Sequence, residues 1–312
     1  MKRCQTITER LICSDLSTYL STKLYTFDRF YRLALKLIVQ KIFVFIYLVT
    51  LSVTLTAQRG FEAGGRLGVS QYFGDLNTNF SLRQPGFTVG GDVRFNFDER
   101  FSLKGGLNYI FIHANDKYSS NIFQRVRNLH FRNNIIELSG QMELNFLKYV
   151  HGSRDEWFTP YLLLGGSVFA HSPQAKYEGQ WYKLRDLGTE GQRNRREYSI
   201  VNGSWLFGMG FKVDLDYSWS LNVELCSRQA FTDYLDDVST VYEDAEQVRA
   251  NHGDVAAALS DPSIILPPYN DAKIGVKGRQ RGDKEISDAY TTLTVGLIYY
   301  FGQVRCPEIV KH

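Results

Sequence analysis

The residues able to do chemistry are few. Two histidine–serine pairs stand close in sequence, His151 with Ser153 and His171 with Ser172. A serine within hydrogen-bond reach of a histidine is the minimum for ester hydrolysis or acyl transfer. Asp233, Asp236, Asp237, Glu243 and Asp244 form an acidic run with the hard oxygen donors that calcium takes. Four cysteines, Cys4, Cys13, Cys226 and Cys306, complete the reactive groups, and the sequence holds no CxxC, no HExxH and no phosphate-binding loop.

What these residues can do depends on the elements that place them. The chain has 312 residues, 14% aromatic, with 26 glycines. That bias fits a barrel girdled by aromatic side chains. Lys and Arg number 36 against 33 Asp and Glu, a near balance that argues against a nucleic-acid surface. The one long apolar stretch runs from Ile42 to Ala57, behind Arg29, Arg32, Lys36 and Lys41. This is the charge order of a secretory signal peptide, and the stretch is short for a spanning helix. Residues 1–57 are therefore expected to be a precursor segment cleaved after Ala57, which removes Cys4 and Cys13. No cysteine stands immediately after the expected cut, so a lipoprotein is not expected.

Beyond Ala57 the hydropathy repeats with a period of two over about ten residues, the length a tilted strand needs to cross a bilayer. Phe87, Val89, Val93, Phe95 and Phe97 share one face, with Thr88, Asp92, Arg94 and Asn96 on the other. Phe101, Leu103, Leu107, Tyr109 and Phe111 oppose Ser102, Lys104 and Asn108. Ile136, Leu138, Met142, Leu144 and Phe146 oppose Glu137, Ser139, Gln141, Glu143 and Asn145. Further strands are predicted near 61–71, 159–170, 202–214, 219–231 and 288–301, about eight in all. A soluble sandwich would put the apolar face inside, but here the bulky face is so continuous that in water it would be one large exposed patch. The expected fold is all-β, a transmembrane antiparallel barrel over 58–302 in the outer membrane. Short periplasmic turns alternate with long outer loops near 72–85, 113–132, 171–201 and 232–287, and a periplasmic tail covers 303–312.

Eight strands leave a lumen that side chains fill. The inward set contains Arg66, Arg94, Lys104 and Lys212 with Glu62, Asp92, Glu137, Glu143, Asp214 and Glu224, read as a neutralised network that locks the barrel. His151 and Ser153 fall in a periplasmic turn. His171 and Ser172 are adjacent on a strand and so point to opposite faces, which speaks against a dyad. The acidic run lacks the ligand spacing and turn glycine of a calcium loop and reads as solvated. Spacing between Glu243 and Leu259 predicts a short helix, weakened by Gly253. No catalytic residue, metal, cofactor, nucleic acid or small-molecule substrate is expected.

Five segments carry a more specific signal. They are Tyr72-Phe73-Gly74-Asp75-Leu76, Leu187-Gly188-Thr189-Glu190-Gly191-Gln192, Thr232-Asp233-Tyr234-Leu235-Asp236-Asp237-Val238-Ser239, the stretch from Ala257 to Pro262, and Tyr290 to Gly302 followed by Cys306 and Pro307. In this order the chain resembles the PorG family, small outer-membrane barrels of the type IX secretion machinery of Bacteroidota. The resemblance implies a scaffold or anchor for a periplasmic ring built from proteins like PorK and PorN. Cys306 and Pro307, past the aromatic end of the last strand, are the candidate partner contact, and Cys226 is poorly placed to pair with Cys306. The alternatives are a structural or adhesive barrel working through its outer loops, and a lipid-modifying enzyme.

Overall fold

A computed structural model of the chain describes residues 60–78, 81–192, 197–266, 273–285 and 287–302. The chain divides into two compact units, Met1–Thr56 and Ala57–His312, and every described residue belongs to the second. The signal segment, Cys4, Cys13, and the tail with Cys306 and Pro307 lie outside the described residues.

The strands are β1 (Gly60–Phe73), β2 (Gly86–Asn96), β3 (Phe101–Asn115), β4 (His130–Asn145), β5 (Phe158–Tyr177), β6 (Gln180–Lys183), β7 (Val201–Asp214), β8 (Trp219–Ala230) and β9 (Ala289–Tyr300). Eight of them pair antiparallel into a closed barrel. β9 returns to β1 through Glu62↔Tyr300 to Phe73↔Ala289, and β4 pairs with β5. The short β6 lies outside the ring as a hairpin return on β5. Closure leaves no edge unpaired, which is the condition for a sheet to sit in lipid.

Two of the inner turns are closed by aspartates. Oδ1 of Asp98 accepts from the amides of Arg100 and Phe101, both at 2.7 Å, and Oδ1 of Asp216 accepts from Ser218 and Trp219 at 2.7 and 2.8 Å. These side-chain turns let the chain reverse in a few residues.

The alternation is strict through the middle of each strand. On β4, Ile136, Leu138 and Met142 are exposed while Glu137, Ser139, Gln141 and Glu143 are buried. Leu67, Val93, Leu107, Leu164, Trp205 and Phe207 continue the outward apolar belt around the ring. So large an unbroken patch is a lipid-facing surface. Among the described residues no helix is long and apolar enough to cross a membrane, and the crossing is made by strands.

Three strands run further outward than the sequence suggests. β3 continues to Asn115, β4 begins at His130 and β5 continues to Tyr177. Their inward positions there turn mostly apolar: Ile110, Ile112, Ala114, Phe131, Ile135, Phe169 and Ala175 are buried, with Asn133 and His171 among them. With Tyr72 of β1 and Leu129, Leu184, Leu235, Val238 and Leu259 from the loops they form a hydrophobic core at the outer end. Four short helices, α1 (Ile122–Arg127), α2 (Leu184–Leu187), α3 (Ala245–His252) and α4 (Asp254–Ser260), lie in the outer loops. The helix expected between Glu243 and Leu259 is thus two helices. Asp244 caps the first by accepting from the Glu246 amide, and Gly253, at φ 88°, breaks the ladder before the second.

Candidate functional site

The lumen is filled by ion pairs. Glu143 stands at the centre, with Arg94 Nε at 2.8 Å, Lys212 Nζ at 2.7 Å and Lys104 Nζ at 3.1 Å. Arg94 also pairs with Glu62, and Lys104 with Glu224. Arg66 bridges Glu224 at 2.9 Å and Asp92 at 3.2 Å. Gly106 makes room for that bridge, since a Cβ there would lie 2.5 Å from Asp92 Oδ1. The inward charges expected from the sequence belong to this network, to its inner margin or, for Glu137, to its outer margin, where Asn108 accepts from Arg66 and donates to Glu137. The exception in the expected set is an omission: Arg228 pairs with Glu137 at 2.7 Å, and Tyr290 donates to the same carboxylate at 2.9 Å. Arg228 sits two and four residues beyond Cys226 and Glu224 on the inward face, so its spacing was a usable signal.

The inner mouth is closed by the turn between β4 and β5. His151 bonds Glu62 through Nε2 and Asp214 through Nδ1, each at 3.0 Å, and its ring stacks on Tyr300 at 4.3 Å between centroids. Burial favours the neutral imidazole, but the bonds to Asp214 and Glu62 outweigh it and raise the group to about 9. His151 is therefore a cation at neutral pH. Tyr149 donates to Asp214, and the Gly152 amide bonds the same carboxylate at 3.2 Å.

The outer mouth is closed by a cap joining all four outer loops. Tyr72 Oη lies 2.7 Å from both Asp236 Oδ2 and Asp288 Oδ1. A phenol has one proton to donate, so one of the two carboxyls must carry a proton of its own to make both bonds. Burial and the carboxyls' mutual repulsion raise Asp236 well above the usual carboxylate range; Asp288 is raised likewise, chiefly by burial. Beside them Asp237 accepts from Tyr198 at 2.8 Å and from Thr189, while Arg281 pairs with Glu190 at 3.0 Å and bonds the Asp237 carbonyl at 2.7 Å. Burial raises Asp237 to about 7 despite Arg281, and raises Asp233 to about 7. Arg127 ties Asp116 at 2.7 Å to the carbonyls of Asp75 and Arg281.

This corrects the solvated reading of the acidic run: Asp236 and Asp237 are 2% and 1% exposed. It also gathers the distant segments singled out above. Asp75 accepts from the Asp283 amide, Ser260 Oγ donates to the Thr189 carbonyl, and the Pro262 carbonyl accepts from Asn128.

Neither histidine–serine pair is brought together. Ser153 Oγ accepts from the amides of Asp155 and Glu156 and closes its own turn. His171 points inward and lies 3.0 Å from Asn202 and 3.2 Å from the Ser199 carbonyl through Nε2, while Ser172 lies on the outer face of β5. Cys226 is a free thiol buried in the barrel wall beside Tyr161, Leu163 and Leu206.

Several solved barrels are similar to the chain. Neisserial surface protein A is 9% identical, with 77% of this chain and 97% of that one covered and a TM-score of 0.38. The outer membrane protein OprG from Pseudomonas aeruginosa is 11% identical over 79% of this chain and 97% of its own, at 0.35. Ail of Yersinia pestis, solved in complex with the heparin analogue sucrose octasulfate, is 9% identical over 79% of this chain and all of its own (100%), at 0.34. No curated protein matches the sequence. A family model described as a domain of unknown function, DUF6089, matches residues 40–256, well over half of the chain, and the chain belongs to that family.

Proposed function

We propose that the chain is a non-enzymatic outer-membrane barrel with a structural or adhesive role, acting through its ordered outer cap. The observation that supports this best is the burial of the Asp236, Asp237, Glu190 and Arg281 network, which holds the fourth loop against the other three. A surface fixed before contact loses less entropy on binding than a mobile loop. The filled lumen argues against solute or cargo passage. The test replaces the third and fourth outer loops with short turns in cells that carry the full chain, and scores surface attachment and envelope integrity. Unchanged attachment and integrity would defeat the reading.

A second reading is that the barrel anchors the periplasmic ring of the type IX secretion machinery, contacting proteins like PorK and PorN through Cys306 and Pro307. Its support is that four of the five segments behind the PorG resemblance meet in one cap, contacting each other directly or through single neighbours. A non-reducing pull-down of the chain from solubilised outer membranes, intact against Cys306→Ser, tests it. Recovery of a ring lipoprotein, lost with Cys306→Ser, is expected; no periplasmic partner from membranes that secrete normally would defeat it.

A further inference from the structure

The outer rim of the barrel is not electrically uniform. Backbone register aligns His113 with Arg132, Arg132 with Gln174, and Gln174 with Lys183, one outward row across β3, β4, β5 and β6. The next row outward aligns Asn115 with His130 and Lys176 with Trp181, and the Lys176 amide donates to His130 at 3.0 Å to join the two pairs. Directly beneath the first row Phe111 aligns with Asn134 and Asn134 with Ser172, and below that row the face is apolar, with Ile136 and Val168 more than half exposed. Two residues of strand rise about 7 Å, so the first row stands at the level of the polar headgroup layer.

The cations in these rows are held but not neutralised. Arg132 donates from Nε at 3.1 Å and Nη2 at 2.9 Å to the Gln174 carbonyl oxygen, and its guanidinium lies 3.6 Å over the Trp181 ring. Both contacts fix the fork and keep its charge. Among the described residues, the outer-loop ion pairs use Arg127, Arg185, Arg249, Lys277 and Arg281, and none reaches Arg132, Lys176 or Lys183. On the opposite wall, the corresponding outer ends of β8 and β9 carry Ser227, Gln229, Ala289 and Thr291, all uncharged.

We propose that the panel of Arg132, Lys176 and Lys183 binds the phosphates of an outer-leaflet phosphoglycolipid whose acyl chains lie along the Phe111, Ile136 and Val168 wall. A membrane-facing position selects a lipid over a soluble anion, because the cations and the apolar wall lie on one outward face, separated by a single row of Phe111, Asn134 and Ser172. A guanidinium held in a plane suits bidentate phosphate binding.

The test reconstitutes the full chain in phosphatidylcholine nanodiscs doped with bis-phosphorylated lipid A and counts retained lipid by native mass spectrometry. Each cation at an anionic surface strengthens binding roughly fivefold at low salt, so Arg132→Gln/Lys176→Gln/Lys183→Gln should lower retention by at least about tenfold. Dephosphorylated lipid A should be retained as weakly by the intact chain. Folding is scored by the heat-dependent gel shift; if the triple variant does not fold, Lys183→Gln alone, on the exposed hairpin, should still weaken retention severalfold. Equal loss in Arg83→Gln/Lys117→Gln/Arg125→Gln, three cations elsewhere on the outer surface, would overturn the assignment. So would equal retention of dephosphorylated lipid A or of phosphatidylglycerol.

Discussion

Glu143→Gln should be the most damaging conservative change in the barrel. The carboxylate faces Arg94, Lys104 and Lys212, but the three cations do not depend on it equally. Arg94 keeps Glu62 and Lys104 keeps Glu224, whereas Lys212 has no second carboxylate in ion-pair range among the described residues. Lys212 is 1% exposed, so the amide variant strands a buried ammonium. At 2.7 Å and an effective dielectric of about 20, the attraction lost is roughly 6 kcal/mol, and the measured cost of orphaning one partner of a buried pair is about 3–5 kcal/mol. Lys212→Met in the same chain removes the stranded charge and leaves an apolar stem beside the Tyr161 ring, over which the ammonium now sits at 4.8 Å. The double variant should recover at least half of the loss. The assay is urea unfolding in detergent micelles or vesicles, followed by tryptophan emission and by the gel shift between folded and heated chain. If the double variant is as unstable as the sum of the two single variants, Lys212 is not the stranded partner and the argument fails.

The inner lock should be sensitive to alkali: the raised His151 adds stability that is complete below its unfolded value near 6.5 and lost as pH climbs through about 9, so the unfolding midpoint should fall from pH 7 to pH 10, and His151→Gln should flatten that slope. The outer cap should respond in a lower window. Asp237 and Asp233 are raised to about 7, so the folded cap holds protons that the unfolded loops release near pH 4; its stability falls as pH rises from about 4 to 7, read as faster proteolysis within residues 232–266 at pH 7.5 than at pH 5. Tyr72→Phe removes the hydroxyl between Asp236 and Asp288 and should cost about 1–3 kcal/mol of cap stability, seen as faster amide exchange at Leu235 and Val238 with the barrel gel shift intact. Gly106→Ala puts a methyl 2.5 Å from Asp92 Oδ1 and 3.1 Å from Arg66 Nη2, and should lower the urea midpoint by the equivalent of about 1–3 kcal/mol.

The eight strands were legible because the outward face has a single requirement, contact with hydrocarbon, which leaves an unbroken period of two. The inward charges followed from the same alternation. The reading ended β3 at Phe111 because Ile110, Phe111 and Ile112 are apolar on both faces, which erases the period where the lumen changes from polar to apolar. The acidic run was misread for a different reason. Composition shows that Asp236 and Asp237 are charged groups in a loop, but their partners Tyr72, Thr189, Tyr198 and Arg281 lie 39 to 164 positions away or across another loop. Contacts at that range leave no local pattern.

The lumen has two solutions to burial, and their order along the axis bears on how the protein works. From the inner mouth to mid-barrel the inward residues are charged and matched; beyond Ile110 and Ile135 they are mostly apolar, interrupted by Asn133 and His171, and continue into the cap core. Charged pairs are specific but contribute little net stability, whereas the apolar layer gives the larger gain on burial. The cap is therefore not an accessory on a finished barrel. Its core, Tyr72, Ile112, Phe131, Leu235 and Val238, uses side chains from the strands and from the fourth loop alike, so ordering the loop and completing the outer end of the barrel are one event. The inner ion pairs do not share that core. A shift from pH 4 to pH 6.5 runs through most of the window of Asp233 and Asp237 and ends where that of His151 begins, so it loosens the outer end while the inner end holds.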